Sequence, residues 1–165
     1  VSPHFIAEVF NWLEYDAVTA GNHDIEAGHS VYDKLINEYN FPVLAANAIN
    51  SITGKPYFKP YVILEKEGIR IAVFGLITPA IPRWLPEELY SGIEFRVMVE
   101  TARLWMPEIL KEKADLVVGL FHSGWNKENT GFRPSDENGS AASTTIKIRS
   151  ARTASSKVAL KASTR

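Results

Sequence analysis

The sequence predicts an α/β fold built around a mixed β-sheet. Short apolar segments typical of buried strands alternate with segments in which apolar residues recur at helical spacing. Within residues 61–78, two β-branched segments flank Glu67-Gly68, which is the pattern of a β-hairpin. Alternating helices and strands with one inserted hairpin indicate a mixed sheet rather than a purely parallel one.

The individual elements follow from caps, spacing and turn residues. Ser2 and Pro3 form a helix-start signal, because serine caps a helix and proline suits its first position. Pro107 is a candidate kink or break in the last predicted helix. The predicted helices are residues 2–15, 29–39 and 97–113; the predicted strands are 16–21, 41–48, two within 61–78, and 114–124. Residues 78–89 contain three prolines and are predicted to be a loop.

The composition excludes several classes of site. The 165 residues are 45% apolar and 22% charged, as in an ordinary globular domain, and contain no cysteine. Disulfides, thiolate metal ligands and cysteine nucleophiles are therefore excluded. No apolar run approaches the roughly 20 residues of a membrane span. The chain begins at Val1 without a signal peptide, so this end does not indicate localisation.

The charge is divided unevenly along the chain. Residues 1–138 hold all 19 acidic residues and 12 basic ones, whereas residues 139–165 hold 6 basic residues and no acidic ones. Sixteen of those last 27 residues are Ser, Ala or Thr, and none is aromatic. We expect residues 1–138 to form a partial domain. Residues 139–165 are expected to be disordered, or out of frame from about Ser140 or Ser143.

Two predicted strands end in polar residues that include a histidine. The first runs into Gly21-Asn22-His23-Asp24, and the second ends at His122. Strand ends are where ligands bind in open α/β sheets. The Asn22 carbonyl and the His122 imidazole suit a divalent cation such as Zn, Mn, Fe, Co or Ni. His23 points away from its neighbour and is available to a substrate, with Asp24 orienting it and Gly21 permitting a tight turn.

Structural readings compete with this one. The Asn-His-Asp run alone is typical of a polar turn, and His122 alone fits a hydrogen-bonded histidine at a strand end. His4 and His29 are predicted to be surface residues at helix starts. Trp84 and Trp125 lie in loops near the inferred site and are candidates to line it.

Four blocks in order resemble the calcineurin-like metallophosphoesterase family, nearest to its 5′-nucleotidase and 2′,3′-cyclic-nucleotide phosphodiesterase branch. They are Gly-Asn-His-Asp at 21–24, the strand at 40–49, the strand and loop at 74–84, and Phe-His-Ser-Gly-Trp at 121–125. The resemblance implies an α/β/β/α sandwich with two divalent metals. It implies hydrolysis of a phosphate ester, through attack of a metal-bound hydroxide on phosphorus, with nucleotides as substrates.

Residue roles follow from the resemblance by position. Asn22 and His122 would ligate one metal, His23 would contact the phosphate and protonate the leaving group, and Asp24 would pair with His23. The family's Asp-x-His and Gly-Asp motifs do not occur before residue 21, and its Gly-His-x-His motif does not follow His122. We therefore expect an internal fragment, inactive alone, that binds metal weakly because hard cations require carboxylate oxygens.

Alternative functions remain open at this stage. The chain could be a non-catalytic remnant or scaffold, or a binding module that uses its basic tail. Six dispersed charges without aromatic residues disfavour a nucleic-acid partner. A fragment that lacks sheet neighbours is expected to oligomerise or aggregate through exposed strand edges. The resemblance implies an exported or periplasmic protein.

Overall fold

The computed structural model describes residues 4–124 and 142–149 of the chain. Helices and strands alternate as the sequence predicts, and the strands form both parallel and antiparallel pairs. In chain order, the elements are α1 (Phe5–Trp12), β1 (Val18–Thr19), α2 (Asn22–Glu26), α3 (His29–Glu38), β2 (Val43–Leu44), β3 (Ala48–Asn50), β4 (Tyr61–Lys66), β5 (Ile69–Ile77), α4 (Ile81–Trp84), a 3-10 helix (Glu87–Leu89), β6 (Ile93–Phe95), α5 (Met98–Lys111), β7 (Leu116–Ser123) and β8 (Ala142–Arg149).

The largest sheet has the strand order β4-β5-β7-β8. The predicted hairpin is confirmed: β4 and β5 are antiparallel, and Glu67 and Gly68 both have positive φ at their turn. β5 and β7 are parallel, with Ile77 aligned to His122 at their carboxyl ends. A parallel pair beside an antiparallel pair makes the sheet mixed, as the sequence predicts.

Two smaller pairings complete the strands that the structure describes. β1 pairs in parallel with β2, and β3 pairs antiparallel with β6. β1 also contacts both β5 and β7. The strand that leads to residue 21 is therefore held beside the strand that ends near residue 122.

β5 supplies both halves of the core, because successive side chains in a strand point to opposite faces. Phe74 and Leu76 pack with Ile109 of α5 on one face. Ile77 packs with Ile25 of α2 on the other. This second cluster also includes Tyr32, so the short helix after β1 and the helix that follows it are anchored to the core beside the end of β5.

Several boundaries differ from the sequence-based predictions. α1 begins at Phe5 and is capped by His4, whose Nδ1 accepts the N–H of Ile6; Ser2 and Pro3 lie outside the described residues. The segment 78–89, predicted to be a loop, contains α4 and the 3-10 helix, because proline at the start of a helix removes no hydrogen bond. The helix around Pro107 continues to Lys111 without a break.

The basic segment also differs from its prediction in one part. Residues 142–149 form β8, antiparallel to β7 from Ser123↔Ala142 to Leu116↔Arg149. The prediction of disorder followed from the Ser/Ala/Thr content, but Thr144-Thr145-Ile146 are β-branched residues that favour strands. The other residues of 139–165, and the predicted boundary at 138, lie outside the described residues.

Among residues 4–124 and 142–149, no helix has the length and apolar character that crossing a membrane requires.

Candidate metal and phosphate site

The first half of the site is the junction between β1 and α2. Ala20 is buried and donates its N–H to Leu44 O, which ends the pairing of β1 with β2. Gly21 then caps α2, which begins at Asn22. The Gly-Asn-His-Asp run is therefore the start of a helix and not an isolated polar turn.

The second half of the site is the carboxyl end of β7. His122 Nε2 lies 2.8 Å from Asn22 Oδ1, although the two residues are 100 positions apart in the sequence. The amide oxygen is an acceptor only, so the imidazole donates from Nε2. The predicted pair of metal-ligand residues is thus brought together by the fold.

Gly21 has a different role from the one predicted for it. Its φ of −114° is accessible to any residue, so no tight turn requires glycine there. A Cβ on Gly21 would instead lie 2.8 Å from Cε1 and 2.9 Å from Nδ1 of His122. The glycine leaves the space in which the His122 ring reaches Asn22.

The His122 ring is half-buried, and this burial lowers its pKa. Asp24 opposes the shift by attracting the imidazolium, whereas His23 adds to it through like-charge repulsion. The burial effect is the largest, so His122 is neutral at pH 7. A neutral imidazole is the form that ligates a metal.

The Asn22–His122 pair fits two adjacent ligands of one cation. Two atoms about 2.1 Å from an octahedral ion, at a right angle, stand about 3 Å apart. The oxygen and nitrogen here are 2.8 Å apart, so both atoms could face a single ion once the ring carries its proton on Nδ1 instead of Nε2. Both donors are neutral, and the described residues bring no group of three or more His, Cys, Asp or Glu together as a metal cluster. The pair therefore fits one side of a single cation, and the described residues do not provide the two-metal set that the resemblance implies.

The structure pairs His23 with a residue that the sequence analysis missed. His23 Nδ1 lies 2.7 Å from Glu26 Oε2, one turn along α2. Asp24, predicted to pair with His23, instead accepts the N–H of Gly21 through Oδ2 at 2.7 Å. The reason is helical geometry: residues three apart share a face, whereas adjacent residues do not. The i, i+3 spacing of His23 and Glu26 was the available signal.

The carboxylate of Asp24 therefore acts at the helix start. Its acceptance of the Gly21 N–H, together with the Asp24 N–H donated to Gly21 O at 3.2 Å, closes both ends of the first turn. This fixes the backbone on which Asn22 and His23 sit. The structure thus places Asp24 behind the site.

His4 and His29 make their hydrogen bonds away from the Asn22–His122 pair. His29 begins α3 as predicted, but its ring is partly buried and faces Asp33 Oδ2 at 3.1 Å and Ser91 O at 2.9 Å. Trp84 is 52% exposed at the end of α4. Trp125 lies outside the described residues, so its predicted place near the site stays a prediction.

Comparison with known proteins gives relatives in one functional group. No protein-family model matches the chain. The chain is 40% identical over 113 residues to a 5′-nucleotidase of Vibrio cholerae, covering 68% of the chain. It is 33% identical over 139 residues to a 2′,3′-cyclic-nucleotide 2′-phosphodiesterase/3′-nucleotidase of Haemophilus influenzae, covering 79% of the chain.

A solved structure shows the same fold. The calcineurin-like phosphoesterase YfkN of Bacillus subtilis superposes with a TM-score of 0.70 over 98% of this chain and 67% of its own, at 21% identity. In sequence the chain is similar to these nucleotide phosphoesterases, and its fold is that of a calcineurin-like phosphoesterase. The mixed α/β architecture expected for this family is thereby confirmed.

The match to the family covers only part of the curated relatives. The chain spans 20% of the length of each of the two nucleotidases above. Metallophosphoesterases use divalent metals. In this chain, Asn22 and His122 are the candidate metal-ligand residues that the fold brings together.

Proposed function

We propose that this chain carries part of the catalytic site of a nucleotide phosphoesterase. The observation that carries the proposal is the 2.8 Å contact between Asn22 Oδ1 and His122 Nε2, with His23 on the same helical turn. The activities named for the relatives suggest the substrate class, which is a 5′-nucleotide, a 3′-nucleotide or a 2′,3′-cyclic nucleotide.

Asn22 and His122 are proposed to hold one divalent cation, His122 as the neutral tautomer that carries its proton on Nδ1 and leaves the Nε2 lone pair free. A divalent cation bound there would polarise a phosphate oxygen and offset developing negative charge. The burial that keeps His122 neutral at pH 7 leaves its ring free of a charge that would repel the cation.

His23 is proposed to contact the phosphate. Its side chain is 82% exposed, and its Nδ1 lies 2.7 Å from Glu26 Oε2, so Nε2 is the ring nitrogen proposed to face the phosphate. An imidazole donating from Nδ1 to a carboxylate is held in one orientation, and a proton on Nε2 can then be given to a leaving oxygen. Glu26 replaces Asp24 as the orienting carboxylate in this proposal, while Asp24 holds the helix start.

The isolated chain is proposed to lack turnover. Two neutral ligands bind a divalent cation weakly, because hard cations prefer charged oxygens. A non-catalytic scaffold is the second candidate, and the same neutral donor set favours it. The exported setting, the absence of a nucleic-acid partner and the tendency to oligomerise through exposed strand edges stay predictions.

Mn²⁺ binding tests the metal part of the proposal. We expect paramagnetic broadening of the His122 ring resonances, followed by NMR, at lower Mn²⁺ than those of His29. Asn22→Ala should remove this preference. Asn37→Ala is the matched control, because Asn37 is an exposed amide on α3 that donates within its own helix, to Asp33 O. Equal broadening of both histidines in the unaltered chain would refute the metal role.

Phosphate release tests the catalytic part. The chain is incubated with Mn²⁺ and a nucleoside 5′- or 3′-monophosphate; ring opening of a 2′,3′-cyclic nucleotide, which frees no inorganic phosphate, is followed by chromatography of the nucleotides. We expect no release above that of His122→Ala. Release that exceeds this variant and depends on His23 would establish catalysis and overturn the proposed inactivity. Selective Mn²⁺ binding without release is the expected combination, and neither result alone implies the other.

A further inference from the structure

Asn47 is a fully buried polar residue to which neither the sequence nor the comparisons assign a role. Its Nδ2 donates to Ile77 O at 2.7 Å and to Arg96 O at 2.9 Å, and its Oδ1 accepts the N–H of Ile77 at 2.9 Å. The side chain therefore satisfies both backbone groups of one residue and a carbonyl of another. A buried amide with this complete set of partners is a strong structural constraint.

The end of β5 needs this side chain because its neighbouring strand stops short. β4 starts at Tyr61, opposite Phe74, so it pairs with no residue of β5 beyond that point. Gly75 bonds to Pro60 O and Ala46 N, and Ile77 bonds to Asn47. The Asn47 amide thus takes the place of a strand at the carboxyl end of β5.

The same segment also holds the strand that leads to Asn22. Leu44 O accepts the N–H of Ala20 at 3.1 Å and the hydroxyl of Thr19 at 2.9 Å. Ala20 directly precedes Gly21, the cap of the helix that carries Asn22. Residues 44–47 therefore contact β1 at one end and β5 at the other.

His122 is tied to the second of these contacts. Ile77 is its register partner in the parallel pairing of β5 with β7. A shift of the β5 end would move the neighbouring end of β7 relative to β1, because the two strands share a ladder of hydrogen bonds. The 2.8 Å separation of Asn22 and His122 depends on that relative position.

We propose that Asn47 is a positioning residue that sets the distance between Asn22 and His122. It acts through Ile77 and the backbone of residues 44–47, and touches neither ligand. The inference rests on the proposed function only where it treats Asn22 and His122 as metal ligands. The geometric claim stands apart from catalysis.

The test measures geometry at the site. Gly21 lies against the His122 ring, so the unaltered chain should show a nuclear Overhauser effect between Gly21 Hα and His122 Hε1. Asn47→Ala should abolish this effect while the signals of α5 and of the paired hairpin residues 61–74 keep their positions. Asn47→Asp, which keeps the acceptor for Ile77 N–H but loses the donors, should weaken it.

Thr101→Val is the matched control. Thr101 is also buried and loses a single hydrogen bond, from its hydroxyl to Val97 O in α5. This variant should keep the Gly21–His122 effect although it also removes a buried hydrogen bond. An unchanged effect in folded Asn47→Ala, or an equal loss in Thr101→Val, would overturn the proposal.

Two further measurements on the unaltered chain test the proposal without a variant. Should both Asn47 variants fail to fold, the unaltered chain is followed in increasing urea. Loss of Ile77 amide protection together with the Gly21–His122 effect supports the coupling, and persistence of the effect after Ile77 exchanges refutes it. Mn²⁺ broadening of His122 is recorded in parallel. An intact geometric result without Mn²⁺ binding would refute the metal role alone.

Discussion

Gly21 lies directly against the imidazole of His122, with space for a hydrogen but not for a methyl group. A Cβ at residue 21 would be 2.8 Å from His122 Cε1, a distance that real Cβ contacts do not show. The ring in turn reaches Asn22 Oδ1 at 2.8 Å. The absence of a side chain at one residue thus permits a contact between two others.

Gly21→Ala is expected to displace the His122 ring and break its hydrogen bond to Asn22. The backbone at residue 21 suits alanine, so the cost arises from overpacking, about 1–3 kcal/mol of unfolding free energy. Urea unfolding measures it. Gly124→Ala is the control, because no atom of the described residues lies within 4 Å of a Cβ there. Equal stability of the two variants would contradict the steric reading.

Asp24 and Glu26 are expected to differ in what their removal costs. Asp24→Ala loses the hydrogen bond that closes the start of α2 and should lower the unfolding free energy by about 1 kcal/mol. Glu26→Ala breaks an exposed pair and should cost less than about 0.5 kcal/mol. Thermal melts compare the two. The reverse order would return Asp24 to the role of His23 partner.

The unfolding free energy of the chain is expected to decrease as the pH is lowered, and part of this decrease depends on His122. Burial lowers the pKa of His122 in the folded state, so the unfolded chain takes up its proton first. The contribution is therefore complete above about pH 6.5, the usual histidine value, and is lost as the pH falls toward the lowered folded value. His122→Gln should show a shallower decline over this range. Parallel pH profiles of the two proteins would disprove it.

Tyr57 is expected to stay protonated until the chain unfolds in alkali. Burial raises its pKa first, and the hydrogen bond to Asp33 Oδ1, at 2.7 Å, raises it further. A folded-state pKa above the unfolded value gives stability that is complete below about pH 10 and is lost as the pH rises. Tyr57→Phe should cost about 1 kcal/mol at neutral pH and flatten the alkaline decline. Tyrosinate absorbance tests this; ionisation of Tyr57 in the folded chain would contradict it.

Local patterns were sufficient for most of the fold. The hairpin turn at Glu67-Gly68 was readable because positive φ favours glycine, and the helices at 29–38 and 98–111 followed from apolar spacing. The helical turns within 78–89 were missed because three prolines resemble a loop, although proline is compatible with the first turn of a helix. β8 was missed because its composition concealed a β-branched run.

The candidate site was predictable in its residue types and less so in its contacts. Asn22 and His122 were expected to act together because both follow predicted buried strands, and the structure places them within hydrogen-bond distance. The predicted pairing of His23 with Asp24 is not the contact that the structure shows, because the prediction treated Asp24 as part of a turn and not of a helix. Once Asn22–Glu26 is helical, Glu26 and not Asp24 shares the face of His23.

The sequence by itself determined the α/β class, the hairpin, the two polar strand ends and the resemblance to metallophosphoesterases. These depend on side-chain periodicity and on short motifs, which are local properties of the chain. Only the tertiary structure decided that Gly21 makes room for the ring of His122 and that Asn47 bonds to the end of β5. Each of these depends on backbone groups and side chains that sit far apart in sequence and meet only when the strands pair. Their contacts are set by strand register and burial, which spacing along the chain does not encode.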